Sequence, residues 1–296
     1  MKVFVTGVNG QLGHDVMNEL HKRGYYAIGS DIAPKTELDF PYVSMDITNE
    51  NLVKKTIERI KPDVVCHCAA WTAVDAAEED ENKPKVYKIN VLGTKYIAEA
   101  CKNIDAKMVY ISTDYVFNGK GNKPWNPDDK NYAPLNYYGE TKLLGEQTVS
   151  NILKKYFIVR IAWVFGKNGN NFIKTMLRVG KDHDILKVVD DQIGTPTYTF
   201  DLSKLLVDMI ETDKYGYYHA TNEGGYISWY EFAKTIFEEA NYSTKVIPVT
   251  TIEYGLSKAK RPYNSRLDKS KLKENGFDLL PNWEDALKRY LKEINY

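Results

Sequence analysis

Cysteine is scarce in this chain. Its three thiols, Cys66, Cys68 and Cys101, are too few for a disulfide framework and fit a reducing cytoplasm. No apolar run approaches the roughly 20 residues of a membrane-spanning helix. Met1-Lys2 leads straight into a predicted strand, so neither a signal peptide nor a membrane partner is expected. An excess of one charge is missing too: 40 Lys+Arg balance 40 Asp+Glu, leaving no basic footprint for a nucleic acid. Repeats, low-complexity tracts and long charge blocks are also absent. What remains, 43% hydrophobic and 27% charged among 296 residues, describes an ordinary globular protein of enzyme size.

Short apolar runs alternate with helical periodicity through the first half. Lys2-Val3-Phe4-Val5-Thr6 reads as a strand, followed at once by Gly7-Val8-Asn9-Gly10-Gln11-Leu12-Gly13. From Gln11 the spacing of Leu12, Val16 and Leu20 predicts a helix that Gly24 can close. A glycine loop between first strand and first helix lets backbone approach a pyrophosphate, which the free N–H groups of the helix start then bind. A purely structural glycine turn has the same appearance, and the G-x-x-G-x-x-G spacing departs from the commoner G-x-G-x-x-G. The second predicted strand ends in Asp31, 18 residues past Gly13, where a carboxylate can bind both adenosine ribose hydroxyls or cap a turn before Pro34.

Further strands are predicted at 42–46, 63–70, 107–112 and 156–160, with helices at 49–60 and 85–102. The fourth strand ends in Ala69-Ala70, small enough to admit a cofactor. Its Cys66-His67-Cys68 trio reads as buried packing, because alternate side chains of a strand face opposite ways. Gly93, inside a helix at a cost of about 1 kcal/mol, points to close packing. The alternation predicts an α/β, Rossmann-type doubly wound parallel sheet. From about residue 161 it breaks. Residues 1–160 are expected to form a dinucleotide-binding domain. Residues 161–296 should form mainly a smaller mixed α/β substrate-binding cap, with segments near 185–212 returning to the main sheet. Ser228-Trp229-Tyr230-Glu231 is a capping box that starts one of its helices.

The chain is organised around 111–142. Val109-Tyr110-Ile111-Ser112-Thr113-Asp114 ends a buried strand in hydroxyls and a carboxylate, and Tyr138-Gly139-Glu140-Thr141-Lys142 opens a helix. Tyr138 and Lys142, four apart, share one helix face above the strand's carboxyl end, the ligand edge of an open α/β sheet. A free phenol titrates near 10, and a nearby ammonium favours the phenolate, bringing Tyr138 toward working pH. Thr113 can donate a second hydrogen bond to a carbonyl oxygen. Among 22 Tyr and 40 Lys+Arg, a surface pair gives the same spacing by chance, so its weight comes from its company.

That company resembles the extended short-chain dehydrogenase/reductase family: Thr6-Gly7-x-x-Gly10-x-x-Gly13, Asn90-Val91-x-Gly93-Thr94, Ser112-Thr113-Asp114 and Tyr138-x-x-x-Lys142, in order over half the chain. Its nucleotide-sugar reductases are matched nearly end to end, through 69–75, 112–117, 169–172, 191–197 and 261–267. The resemblance implies NADH or NADPH as cofactor. It implies reduction of the C4 ketone of dTDP-4-dehydro-L-rhamnose to dTDP-L-rhamnose, for cell-surface polysaccharide precursors, by a cytoplasmic monomer or homodimer. It makes Tyr138 the proton donor, Thr113 its partner and Lys142 the holder of the nicotinamide ribose. It puts Gly10, Gln11, Leu12, Asp31, Asp46, Ile47, Ala69, Ala70, Trp71 and Tyr110 on the cofactor. Thr72, Val74, Asp114 and Trp163 would face the sugar. Trp71 stands where those reductases often have His. For the diphosphate the expectation is Arg266, since a guanidinium binds paired phosphate oxygens well, although a structural ion pair would explain it equally. A 4,6-dehydratase would need Glu after the Thr-Asp pair, and here Tyr115 stands there. Another epimerase or reductase of the family, or a non-catalytic regulatory relative, are the remaining alternatives.

Overall fold

The computed structural model describes residues 1–36 and 39–296. Strands β1 (Lys2–Thr6), β2 (Tyr26–Asp31), β3 (Tyr42–Ser44), β4 (Val64–His67), β5 (Lys107–Thr113) and β6 (Tyr156–Ile161) lie in one sheet in the order β6-β5-β4-β1-β2-β3. Every neighbouring pair is parallel, and Gly216–His219 adds a seventh strand beside β6. The strand order therefore reverses between β1 and β4, which opens a crevice at their carboxyl ends.

Alternation along each strand builds two apolar layers. Val3 and Val5 of β1 face Val16 and Leu20 of α1 (Gln11–Lys22). Phe4 faces the other way, toward Val53 and Ile57 of α2 (Glu50–Ile60) and Ile97 of a later helix. That later helix was expected to run unbroken from Lys85. Instead α3 (Lys83–Tyr87) passes through a π-helical turn, Lys88–Gly93, into α4 (Thr94–Asn103). In the widened turn Asn90 accepts from Trp71 N (2.8 Å) and donates to Thr141 Oγ1 (3.1 Å), tying this helix to α5 (Tyr137–Ile152). A Cβ on Gly93 would lie 2.9 Å from Ile47 Cδ1, the close approach expected of that glycine.

Of the segment near 185–212 expected to return to the main sheet, only the later part does so. Ile185–Val189 pairs with Lys245–Val249 in a separate parallel ribbon. What returns is helix Thr199–Ile210, whose Leu202, Leu205 and Leu206 join the apolar layer of α1, followed by Gly216–His219. The physical reason is a two-sided demand: α1 needs an apolar cover and β6 a hydrogen-bonding neighbour. A third apolar cluster forms the cap. In it Phe165, Ile173 and Leu177 pack on Phe232, Ile236 and Trp283.

Candidate active site

The glycine loop is pinned to β2 by Gly7 N and Val8 N, which donate to Ser30 O at 2.7 and 3.2 Å. Gly7 has φ +74°, and a Cβ there would meet Ala69 N at 2.6 Å. A Cβ on Gly13 would lie 2.2 Å from Gly7 O, so any side chain would push helix from strand. A Cβ on Gly10 would meet Gly7 O at 3.2 Å and nothing else within 4 Å, so this corner of the loop faces open space. Here α1 begins, with Gly10 as its cap and no acidic side chain in its first turn. The N–H groups of Gln11, Leu12 and Gly13 thus have the donors and dipole that suit a pyrophosphate. Asp31 ends β2 beside the loop, its carboxylate accepting from Asn9 N (3.1 Å) and Ile32 N (2.8 Å). Asp46 accepts from the N–H and hydroxyl of Thr48, both at 2.8 Å.

These residues line one end of a cleft of about 1040 Å³, together with Ile47, Ala69 and Ala70. Thr72, Val74, Thr113, Asp114, Tyr138, Lys142 and Trp163 line the same cleft further along. Three side-chain atoms of its lining residues, Ser30 Oγ, Ser112 Oγ and Asp114 Oδ2, are buried without a hydrogen-bond partner. Buried polar atoms are normally paired, so these three leave hydrogen-bonding capacity unused just behind the cleft. The cradle and the free donors fit a dinucleotide.

At the centre, β5 delivers Thr113, whose hydroxyl donates to Asp114 Oδ1 (3.0 Å) and accepts from Tyr115 N (3.2 Å), close enough to the Tyr138 phenol to influence its titration. Asn136 caps α5 by accepting from Gly139 N (2.8 Å) and donates to Lys260 O (2.8 Å), tying the helix start to the segment that carries Arg261. A Cβ on Gly139 would fall 2.4 Å from Tyr115 O, so glycine lets α5 press on the Asp114–Val116 turn that follows β5, where Tyr138 emerges.

Electrostatics depart from the expectation at Tyr138. Burial first, then Asp114 and Tyr115, hold its phenol above the ordinary value. Lys142 does not draw it down, because its Nζ sits 4.1 Å from the centroid of the Tyr110 ring. Burial brings Lys142 down to about 7, opposed by Glu146 and Cys68. Asp114 is pushed up to about 6 by burial, against hydrogen bonds from Ser265 and Thr113. His67 stays neutral, lowered to about 3 by burial, between Thr6 Oγ1 (2.7 Å) and Thr94 Oγ1 (3.2 Å).

Three expected residues lie off the cleft wall. Tyr110 stands behind Lys142, its hydroxyl donating to Lys142 O (3.3 Å), because α5 packs so tightly there that a Cβ on Gly145 would strike it. Trp71 is turned aside: its indole N–H donates to Ala73 O (3.0 Å) and Lys85 Nζ lies 5.6 Å over its ring. Arg266 folds back to Asn264 Oδ1 (3.0 Å) and over Tyr226 (5.9 Å). Arg261 reaches the cleft in its place, held by Asp75 Oδ2 (2.6 Å) and the Tyr115 hydroxyl (3.2 Å). Both arginines lie in one seven-residue stretch, and nothing in its spacing chooses between them. Trp229 and Phe172 also line the cleft and were missed; the capping box at Ser228 was the nearest signal to Trp229.

Comparison with known proteins agrees over the full length. The spore coat polysaccharide biosynthesis protein SpsK of Bacillus subtilis is 40% identical over 293 residues, covering 99% of this chain and 97% of that one. A dTDP-4-dehydrorhamnose reductase of Aggregatibacter actinomycetemcomitans is 40% identical over 301 residues, 97% of each chain. The crystal structure of dTDP-4-dehydrorhamnose reductase from Bacillus anthracis in complex with NADP superposes with a TM-score of 0.90 at 43% identity, covering 99% of both chains. The family described as RmlD substrate binding domain matches residues 1–296, from one end of the sheet-and-cap architecture to the other, and the chain belongs to it.

Proposed function

We propose that this protein is an NAD(P)H-dependent oxidoreductase that reduces the C4 ketone of dTDP-4-dehydro-L-rhamnose to dTDP-L-rhamnose. The observation that carries the reading is the convergence of Thr113, Tyr138 and Lys142 in the cleft that also holds the glycine cradle. A bound reduced nicotinamide supplies the hydride. This chain supplies the rest. The Tyr138 hydroxyl donates its proton to the carbonyl oxygen; burial keeps that phenol protonated but makes it a weaker acid, so the proton leaves only as the oxygen gains alkoxide basicity from the hydride. The Thr113 hydroxyl donates a hydrogen bond to the same oxygen as charge develops there. Lys142, its ammonium seated on the Tyr110 face, holds the nicotinamide ribose. Asp114, with one unpaired oxygen, accepts from a sugar hydroxyl. Arg261, the cationic side chain of the cap in the cleft, binds the diphosphate that had been expected at Arg266.

Among the described residues no helix is long and apolar enough to cross a membrane. The reading places the reaction in the cytoplasm, on a free nucleotide sugar, without a nucleic acid partner and in a monomer or homodimer. The deciding assay follows NADH and NADPH consumption with dTDP-4-dehydro-L-rhamnose and with the D-configured keto sugar. Oxidation of either cofactor with the L sugar is expected. Turnover with the D sugar alone would overturn the substrate assignment.

A further inference from the structure

Among the described residues, five that are not glycine have positive φ. Lys61, Asp105, Asn241 and Asn295 each sit at or just past a helix C-terminus, a common place for left-handed backbone. Trp163, at φ +51°, does not: it joins β6 to the short strand Val164–Phe165 in the wall of the cleft. A bulky residue keeps that conformation only where its surroundings over-determine it.

Those surroundings are specific. The Trp229 indole lies on the Trp163 indole with centroids 3.8 Å apart and planes at 17°. Phe172, 4.6 Å from Trp229 at 51°, closes the stack from a third segment. At the edge of Trp163, Gly194 comes so near that a Cβ would stand 2.9 Å from Cε2. The Trp163 carbonyl accepts from Thr197 N at 3.1 Å. Trp229 is itself fixed as the first residue of its helix, behind Ser228, whose hydroxyl accepts from Glu231 N (3.1 Å) and donates to Asp190 Oδ1 (2.6 Å).

We propose that Trp229 is a positioning residue for the sugar: by stacking on Trp163 it holds that indole in its left-handed backbone pose and so presets the wall against which the deoxy ring is bound. The inference rests on the reading that the cleft takes a nucleotide sugar. A preset wall spares the ligand the cost of ordering it, and flat aromatic faces bind apolar ring edges by area and dispersion. The effect belongs to the sugar half of the ligand, because the glycine cradle and Arg261 are built from other segments.

The experiment compares Trp229→Leu, Trp229→Phe and Gly194→Ala with the parent protein. For Trp229→Leu, which keeps apolar bulk and loses the stack, KM for the keto sugar should rise about tenfold with kcat within about threefold. The Kd values for dTDP alone and for NADPH, titrated by fluorescence, should stay within about twofold. Trp229→Phe restores a stacking ring and should return KM to within about threefold of the parent. Gly194→Ala crowds Trp163 from another segment and should raise KM selectively in the same way, so the idea stands or falls even if Trp229→Leu does not fold. An unchanged KM in Gly194→Ala or Trp229→Leu overturns the proposal, as does a loss of dTDP affinity in step with sugar affinity, the mark of general collapse. A parent protein that leaves the keto sugar unreduced overturns the functional reading and this one with it, whereas an active parent with unaffected variants sinks this one alone.

Discussion

Lys142 carries its ammonium 4.1 Å above the centre of the Tyr110 ring, and the Tyr110 hydroxyl donates back to the Lys142 carbonyl at 3.3 Å. The ring supports a buried cation, and such contacts contribute about 2 kcal/mol when desolvated. Tyr110→Leu should therefore lower the Lys142 titration further below its value of about 7. NADPH affinity at pH 7.5 is expected to fall about tenfold, with much less loss near pH 5, where the amine stays mostly charged. Tyr110→Phe keeps the ring and should change the affinity less than about twofold. A loss in Tyr110→Leu independent of pH would assign Tyr110 a packing role alone.

Removing the two hydroxyls at the carbonyl should separate chemistry from binding. Tyr138→Phe is expected to lose turnover by on the order of 100- to 10,000-fold while NADPH affinity holds, since only the proton donor is gone. Thr113→Val should cost on the order of 100-fold, the usual loss for one donor to a developing oxyanion. Steady-state kcat with either variant within about tenfold of the parent would remove that residue from the reaction.

Lys142 also makes a prediction about stability. Its folded value of about 7 lies below the ordinary 10.5, so between these pH values the unfolded chain binds more protons than the folded one. Stability from this group is thus lowest below pH 7 and rises toward pH 10.5. Lys142→Met removes that dependence. Without cofactor, the variant should be more stable than the parent at pH 6, by about 1 to 3 kcal/mol, and the gap should narrow toward pH 10. Urea unfolding at both pH values measures it; a gap that widens with pH reverses the assignment. With cofactor the variant should lose turnover and NADPH affinity together.

Legibility in the sequence followed locality. The strands β1 to β6, the glycine loop and the Ser228 box are local patterns of period, turn and cap, and each lies within a few residues of its expected place. Tyr138 and Lys142 were legible because one helical turn relates them. What failed depended on partners distant in sequence. Ile185–Val189 has the pattern of a main-sheet strand, yet Lys245–Val249 claims it. The π turn at Lys88–Gly93 is set by Trp71 and Thr141, which flank it from other segments. The ammonium of Lys142 was expected to tune Tyr138, but Tyr110 intercepts it.

The two arginines allow a direct test of which one faces the ligand. Arg261→Met should raise KM for the nucleotide sugar about 10- to 100-fold, as a guanidinium on a diphosphate makes charge-assisted bonds of 1.5–3 kcal/mol each. It also leaves Asp75 without a partner it holds at 2.6 Å, so some thermal stability should go with it. Arg266→Met should leave KM within about threefold, because this side chain rests on Asn264 and Tyr226 outside the cleft. Equal KM effects from both substitutions would argue for action at long range through the net charge.

Asp31 bears on the choice of dinucleotide. Its carboxylate ends β2 in the cleft and accepts from Asn9 N and Ile32 N, which holds a negative charge beside the glycine loop. Two ribose hydroxyls can donate to that charge, whereas a 2′-phosphate is repelled by it. At 4 Å and an effective dielectric near 20 the repulsion is about 4 kcal/mol. Solvent at this partly exposed site should reduce it to about 1–2 kcal/mol, roughly ten- to thirtyfold in affinity. Lys35 is the nearest basic residue downstream and can offset part of it. NADH is therefore expected to serve at least as well as NADPH, with near parity as the limit. Asp31→Ala removes the repulsion and the two ribose acceptors together. It also frees Asn9 N, so affinity for NADH should fall while affinity for NADPH falls less or rises. The measured quantity is the ratio of kcat/KM for the two cofactors, which should move toward NADPH by about tenfold in the variant. A tenfold preference for NADPH in the unsubstituted protein would mean that Asp31 does not face the ribose.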